Sequence, residues 1–301
     1  MRLSPFLVLS LALPLAQAQQ TVGFKIITQN SFGAGSSEMT SYYLPDRSRV
    51  EHRFSEPRPS SDGSVQTSYG PRTAIIRRCD LGKIFFLNLD SREYTESPDP
   101  TVTMAKAVAA ARTKRKPSPA PPLKPTLRIE TTTTDTGERK QMFGYTARRV
   151  IYTQKYVPLE GSTAVAQETT QDGWYIDIDT RLSCDEQYPP GTRWHLVGVS
   201  NPKERIDFVD KGTGRLGFPV SITSTLNSSI VPAPSSVQKS DGKPSLEVTE
   251  LQKEPLDPAL FDIPPGFKLV KNINPNLAPP SARSQAESLW QRLKLWLSNT
   301  L

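Results

Sequence analysis

Residues 246–267 read "LEVTELQKEPLDPALFDIPPGF". Leu246 and Val248 alternate with Glu247 and Thr249, the two-residue period of a strand with one face buried. Pro255 and Pro258 then stop the pairing, because each removes a donor that a ladder needs. The short "DPALF" turn should drop Leu260 and Phe261 onto a core. Pro264, Pro265 and Gly266 bend the chain into a last extended run. This is the way a large β-sheet ends, and it sets the expectation for the rest of the 301 residues.

The same alternation recurs upstream. "TVGFKIIT" alternates at Val22, Phe24 and Ile26; "RVEHRF" at Val50, His52 and Phe54; "FPVSITSTL" at Phe218, Val220, Ile222, Ser224 and Leu226. "LRIETTTT" sets Leu127 and Ile129 on one face against Arg128 and Glu130. "KIFFLNL" is apolar on both faces, so both should be covered. Hairpin punctuation is read at Gly137, Gly173 and Gly242. The pattern predicts about ten to twelve strands in an antiparallel sheet. No βαβ alternation is visible, so parallel pairing is not expected.

Two stretches read as helix. "DPTVTMAKAVAAARTKRK" has an alanine-rich core from Met104 to Arg112 and runs into a basic, proline-rich segment that ends at Pro125. At the C-terminus, "SQAESLWQRLKLWLSNTL" opens with Ser284 and Glu287 in a capping-box pattern. Leu289, Trp290, Leu293, Trp296, Leu297 and Thr300 then fall on one broad arc, with Leu295 on the other side.

The first residues, "MRLSPFLVLSLALPLAQAQQ", have the form of a signal peptide. Arg2 precedes an apolar run from Leu3 to Leu15, too short to span a bilayer comfortably, and Ala16-Gln17-Ala18 places the cut after Ala18. The mature chain is expected in the periplasm or outside the cell. Export permits a disulfide between Cys79 and Cys184, with two free thiols as the alternative. Two cysteines and the distant His52 and His195 lack metal-ligand spacing, so no metal is expected. The formal charge is +7. Export and the clustering of cations in "RTKRKPSPAPPLKP" turn that charge away from nucleic acid and toward anionic lipid or surface polysaccharide.

The motifs for chemistry are weak. "GTGRLG" matches a dinucleotide fingerprint at Gly212, Gly214 and Gly217, but a strand follows where a helix must start, so a hairpin or bulge is read. No G-x-S-x-G elbow is present. Asp177 and Asp179 lie side by side on one face of "WYIDIDT" and read as solvated. No cofactor, metal site or catalytic residue is expected, and the chain is read as not an enzyme, with a hydrolase as the least favoured alternative. Phe86, Trp174, Trp194, Phe208 and Phe218, together with Ile222, sit on apolar strand faces. They are core residues or the lining of an apolar concavity.

The closing stretch resembles a group of uncharacterised exported bacterial proteins related to the LolA-like superfamily, which includes the outer-membrane lipoprotein carrier. The resemblance rests on Glu247, Val248, Thr249, Leu256, Asp257, Leu260, Phe261, Pro264, Gly266 and Phe267. Gly144, Ala147, Arg148 and Arg149 of "TGERKQMFGYTARRVIYT", and "GWYIDIDTRLSC", also fit. It implies a mainly β fold: a large antiparallel sheet curved into an unclosed barrel with a helical lid and an apolar concave face, the lid's place being taken here by the helix/loop insertion and the C-terminal amphipathic helix. The chain then divides into a signal peptide at 1–18, the LolA-like antiparallel β domain at 19–271, a linker at 272–282 and an amphipathic helix at 283–301. Within the domain, 100–125 forms a helix and a basic, proline-rich mobile loop.

The resemblance further implies a non-enzymatic binding protein for lipid or a lipoprotein acyl chain. Phe86, Trp174, Trp194, Phe208, Phe218 and Ile222 are the candidate lining, and Arg148 and Arg149 the candidate contacts for an anionic head group. The alternative is a cell-envelope sensor or interaction module. It would meet another envelope protein through a sheet edge, or a membrane surface through the C-terminal helix.

Overall fold

The computed structural model describes residues 21–32, 34–60, 64–103, 124–184, 205–212, 214–228 and 244–273. These form strands β1 (Thr21–Phe32), β2 (Gly35–Leu44), β3 (Arg47–Pro59), β4 (Val65–Tyr69), β5 (Thr73–Arg78), β6 (Lys83–Asn88) and β7 (Glu93–Pro98). Further along the chain come β8 (Leu127–Met142), β9 (Tyr145–Pro158), β10 (Gln167–Ile176), β11 (Ile206–Lys211), β12 (Phe218–Ser228), β13 (Leu246–Leu256) and β14 (Lys268–Leu269). All 14 belong to one sheet, ordered β11-β8-β9-β10-β12-β13-β1-β2-β3-β5-β6-β7-β14, with β4 paired to β3. The chain is mainly β and the sheet is not closed into a barrel.

The sheet is mixed, which corrects the antiparallel expectation. β11 runs parallel to β8, Ile206 opposite Leu127, and β14 runs parallel to β7, Lys268 opposite Glu93. Absence of βαβ alternation excludes parallel pairs only if a helix must supply the return. The chain reaches β14 from β13 through residues 257–267, where a 3-10 turn at Pro258–Phe261 stands in place of a crossover helix.

Two of the hairpin signals are corrected as well. Gly173 lies inside β10, between Val150 and Ile222. Gly137 lies inside β8, where the register to β9 shifts between Asp135 and Arg139. The β8–β9 turn is Phe143-Gly144, with φ of 53° and 79°. A two-residue loop with positive φ at both positions matches the twist of the flanking strands. Phenylalanine at such a position hides the turn from a search for Asn-Gly or Asp-Gly. Gly242, the C-terminal helix at 283–301, most of the helix and basic loop at 100–125, Trp194 and His195 lie outside the described residues.

Alternation builds two main cores. One gathers Leu44, Ala74, Ile76, Phe85, Leu87, Leu256 and Phe261 on one face of β2, β5 and β6. The closing stretch covers it. β13 continues through Pro255, which stands opposite Val22, so pairing ends one residue later than the prolines suggest. Asp257 caps a 3-10 turn at Pro258–Phe261, its Oδ1 accepting from the Ala259 N–H at 2.9 Å. The turn delivers Phe261 into the core at 0% exposure, with Leu260 packed beside it. Arg49 Nη1 donates to the Leu260 carbonyl at 3.1 Å and Arg78 Nη1 to the Phe261 carbonyl at 3.4 Å. The Lys268 N–H then donates to Arg92 O and the Val270 N–H to Tyr94 O, docking β14 on β7.

The second core, built on Ile26, Ala147, Ile176, Val220 and Val248, runs across β1, β9, β10, β12 and β13. Met142, Phe143 and Tyr145 of the β8–β9 turn pack against it. "KIFFLNL" does use both faces: Phe85 and Leu87 are buried in the first core, while Ile84 and Phe86 are half-buried on the other side.

Cys79, in the β5–β6 turn, is joined by a disulfide to Cys184, with Cα atoms 5.3 Å apart. The bridge ties the segment after β10 to the first half of the sheet. Ser183 N–H adds a bond to Pro45 O at 2.7 Å. Beside it lies Asp99, fully buried, which accepts from Arg77 Nε at 2.6 Å and from the Thr101 N–H at 2.8 Å.

Candidate functional site

β10 ends at Ile176, so Asp177 and Asp179 are not strand neighbours. An Asx turn stops the strand: Asp179 Oδ1 accepts from the Arg181 N–H at 3.0 Å. Across from this segment, the chain between β11 and β12 folds back over the middle of β8, the Gly214 N–H donating to Thr133 O at 3.0 Å. "GTGRLG" is therefore a connection between two strands that are not neighbours, and the hairpin reading is corrected.

Between 177–181 and 215–219 lies a cleft of about 590 Å³. Ile178, Leu216, Phe218 and Pro219 give it apolar wall; Asp177, Asp179, Arg181 and Arg215 give it charge. Leu216 is 42% exposed, an apolar side chain held in reach of solvent.

Arg148 on β9 ties the two walls together. Its Nε donates to Arg215 O at 3.0 Å and its Nη1 to Asp177 Oδ2 at 2.6 Å. Its Nη2 is buried with no hydrogen-bond partner. Gly217 lies over that nitrogen. A Cβ there would come within 2.4 Å of the Ile176 carbonyl oxygen and 3.1 Å of Nη2. Gly217→Ala should therefore force the walls apart and lose roughly 1–3 kcal/mol of stability, read by urea unfolding. An unchanged unfolding midpoint would mean the contact is slack.

The electrostatics are local pairs. Arg148, and at longer range Arg215, hold the Asp177 carboxyl below the usual carboxylate range. The Arg181 side chain and its backbone N–H pull Asp179 down to about 2. Arg149 is fully engaged: its Nε and Nη2 meet Asp172 at 2.8 and 2.6 Å and its Nη1 meets Glu138 at 2.7 Å. Arg47, Arg78 and Arg149 likewise hold Asp46, Asp80 and Asp172 low. These carboxylates bind protons less readily folded than unfolded. The stability they add is complete above the ordinary carboxylate range near about pH 4 and is lost as pH falls through the lower folded values. Melting temperature measured by circular dichroism should hold steady down to about pH 5 and then fall toward pH 2. A rise on acidification would reverse the sign of this linkage.

Of the five apolar candidates among the described residues, the structure brings Trp174 and Phe218 together on the second core and leaves Phe86, Phe208 and Ile222 elsewhere. Phe218 lines the cleft and packs on the second core. Trp174 packs on that core too, with Lys140 Nζ 5.9 Å from its ring centroid. Ile222 is buried with Val150 and Tyr175. Phe208 stands 45% exposed on β11 at the sheet edge. Phe86 is in the other half of the sheet, opposite Ile75 and Thr95. Trp194 is outside the described residues. His52 stacks edge-on against Phe54 at 4.1 Å, and burial lowers its pKa. Arg215 and Leu216 were not singled out from sequence. The signal was the arginine and leucine inside "GTGRLG", where the glycines draw the eye.

No protein-family model matches the chain, and neither a curated protein nor a solved structure matches it.

Proposed function

We propose that the protein is an exported, non-enzymatic binding protein that holds a lipid or a lipoprotein acyl chain, working in the periplasm or outside the cell in the manner of LolA-like proteins. The observation that carries this reading is the cleft beside Arg148. It sets Ile178, Leu216, Phe218 and Pro219 beside Arg181 and Arg215, with Asp177 and Asp179 on the same rim. Its volume falls in the range of small-molecule pockets. Apolar chain buried there would contribute about 25 cal/mol per Å². The test is native mass spectrometry of protein purified without detergent. An adduct of lipid mass is expected, and Leu216→Asp should lose it. Protein that carries no adduct and takes up no fluorescent acyl probe overturns the reading.

A second reading, an envelope interaction module, draws on the sheet edges. Val65 and Tyr69 on β4 and Phe208 on β11 are 71%, 59% and 45% exposed. An added strand from a partner would use such edges. Tyr69→Lys and Phe208→Lys at those edges separate the two readings: loss of a pulled-down envelope partner with acyl-probe uptake intact favours the module.

A further inference from the structure

We infer that Arg215 is the head-group contact of the cleft and that the ligand is an anionic amphiphile, an alkyl chain ending in a carboxylate or a phosphate monoester. This rests on the acyl-binding reading above and narrows it. At the cleft, three guanidiniums, those of Arg148, Arg181 and Arg215, meet two carboxylates. Asp177 is taken by Arg148 at 2.6 Å and Asp179 by Arg181 at 2.8 Å. The surplus cation is Arg215, which is exposed and acts on Asp177 only at longer range, without a direct ion pair among the described residues. Of the two arginines that sequence favours, Arg149 is held by Asp172 and Glu138. Arg148 has its Nε and Nη1 engaged and its Nη2 enclosed under Gly217. Arg148 is thus a positioning residue that fixes the backbone of Arg215 against the far wall.

Leu216 follows Arg215 directly, and Ile178, Phe218 and Pro219 complete the apolar wall. A planar fork of donors beside apolar wall suits a carboxylate or phosphate carrying an alkyl chain. A neutral head group would leave the cation unmatched, and an anion without a chain would leave the apolar wall unused.

The test uses the full chain, stripped of lipid, with four probes below their micelle concentrations: dodecyl phosphate, laurate, dodecanol and inorganic phosphate. Titration calorimetry should show the two alkyl anions binding about tenfold or more tighter than dodecanol, the scale of a charge-assisted hydrogen bond. Arg215→Gln should erase that gap and leave dodecanol binding and the melting temperature unchanged. Dodecyl phosphate ahead points to a phosphate-headed lipid, laurate ahead to a free fatty acid, and either order supports the inference. Dodecanol binding as tightly as the anions, or a gap that survives Arg215→Gln, overturns it while the acyl reading stands. Inorganic phosphate matching dodecyl phosphate reduces the site to an adventitious ion and also overturns it. If no alkyl probe binds, the acyl reading falls and takes the inference with it.

Discussion

Phe261→Ala is expected to remove roughly 3–5 kcal/mol of stability, the range for deleting a fully buried phenyl ring. The ring has 0% exposure and fills a core built from β2, β5, β6 and the end of β13. The cavity cannot collapse easily. The backbone on which residue 261 sits is pinned by Arg49 and Arg78 to its carbonyls and by the Asp257 cap on the turn before it. A loss of this size is a large share of the total stability of a domain. Urea unfolding followed by tryptophan fluorescence reads it directly, and Phe261→Leu should recover a good part because most of the volume returns. A loss below about 1 kcal/mol would mean that the turn is only resting on the sheet.

Removing the Cys79–Cys184 bridge is the second large effect. It closes a loop with a sequence separation of 105, and the chain-entropy account assigns a loop of about that length between 4 and 5 kcal/mol. Two features should keep the folded geometry after reduction: the Cys79 N–H still donates to Asp46 O and the Ser183 N–H to Pro45 O. The effect therefore falls mainly on the unfolded chain. Cys79→Ala/Cys184→Ala should lower the unfolding midpoint by the same amount as reduction of the wild type. A double variant as stable as the oxidised protein would show that the bridge constrains little.

Legibility followed the range of the physics. The closing stretch was readable because a strand, a proline and an Asp cap act within a few residues, and Leu260 and Phe261 land where the local pattern sends them. Leu127, Ile129 and Thr131 alternate into burial as their spacing says. The parallel edges were not readable. Nothing in "IDFVDK" tells which strand, 79 residues away, Asp207 will meet through Arg128. The true β8–β9 turn hid behind Phe143, since only backbone φ distinguishes it from strand. At the candidate site, Arg148 drew attention through its neighbours in sequence. Arg215 acquires its meaning only because a connection from another strand lays it beside residue 177. Among the described residues Trp174 and Phe218 share the second core while Phe86 and Phe208 stand apart, because alternation identifies a face of a strand without saying which neighbour covers it.

The covering of the first core by the chain's far end has a consequence for how the molecule is made. Arg78 and Phe261, bonded across that core, are 183 residues apart, and β1 pairs with β13 along nearly its whole length. A chain emerging from the ribosome N-terminus first presents Ile76, Phe85 and Leu87 long before their cover has been synthesised. Folding dominated by such distant partners is slow, since loop closure must come before its reward. For a polypeptide threaded through a membrane before it folds, as the proposed export requires, that delay is an advantage. On that proposal, the completed core forms only once the last strands have crossed.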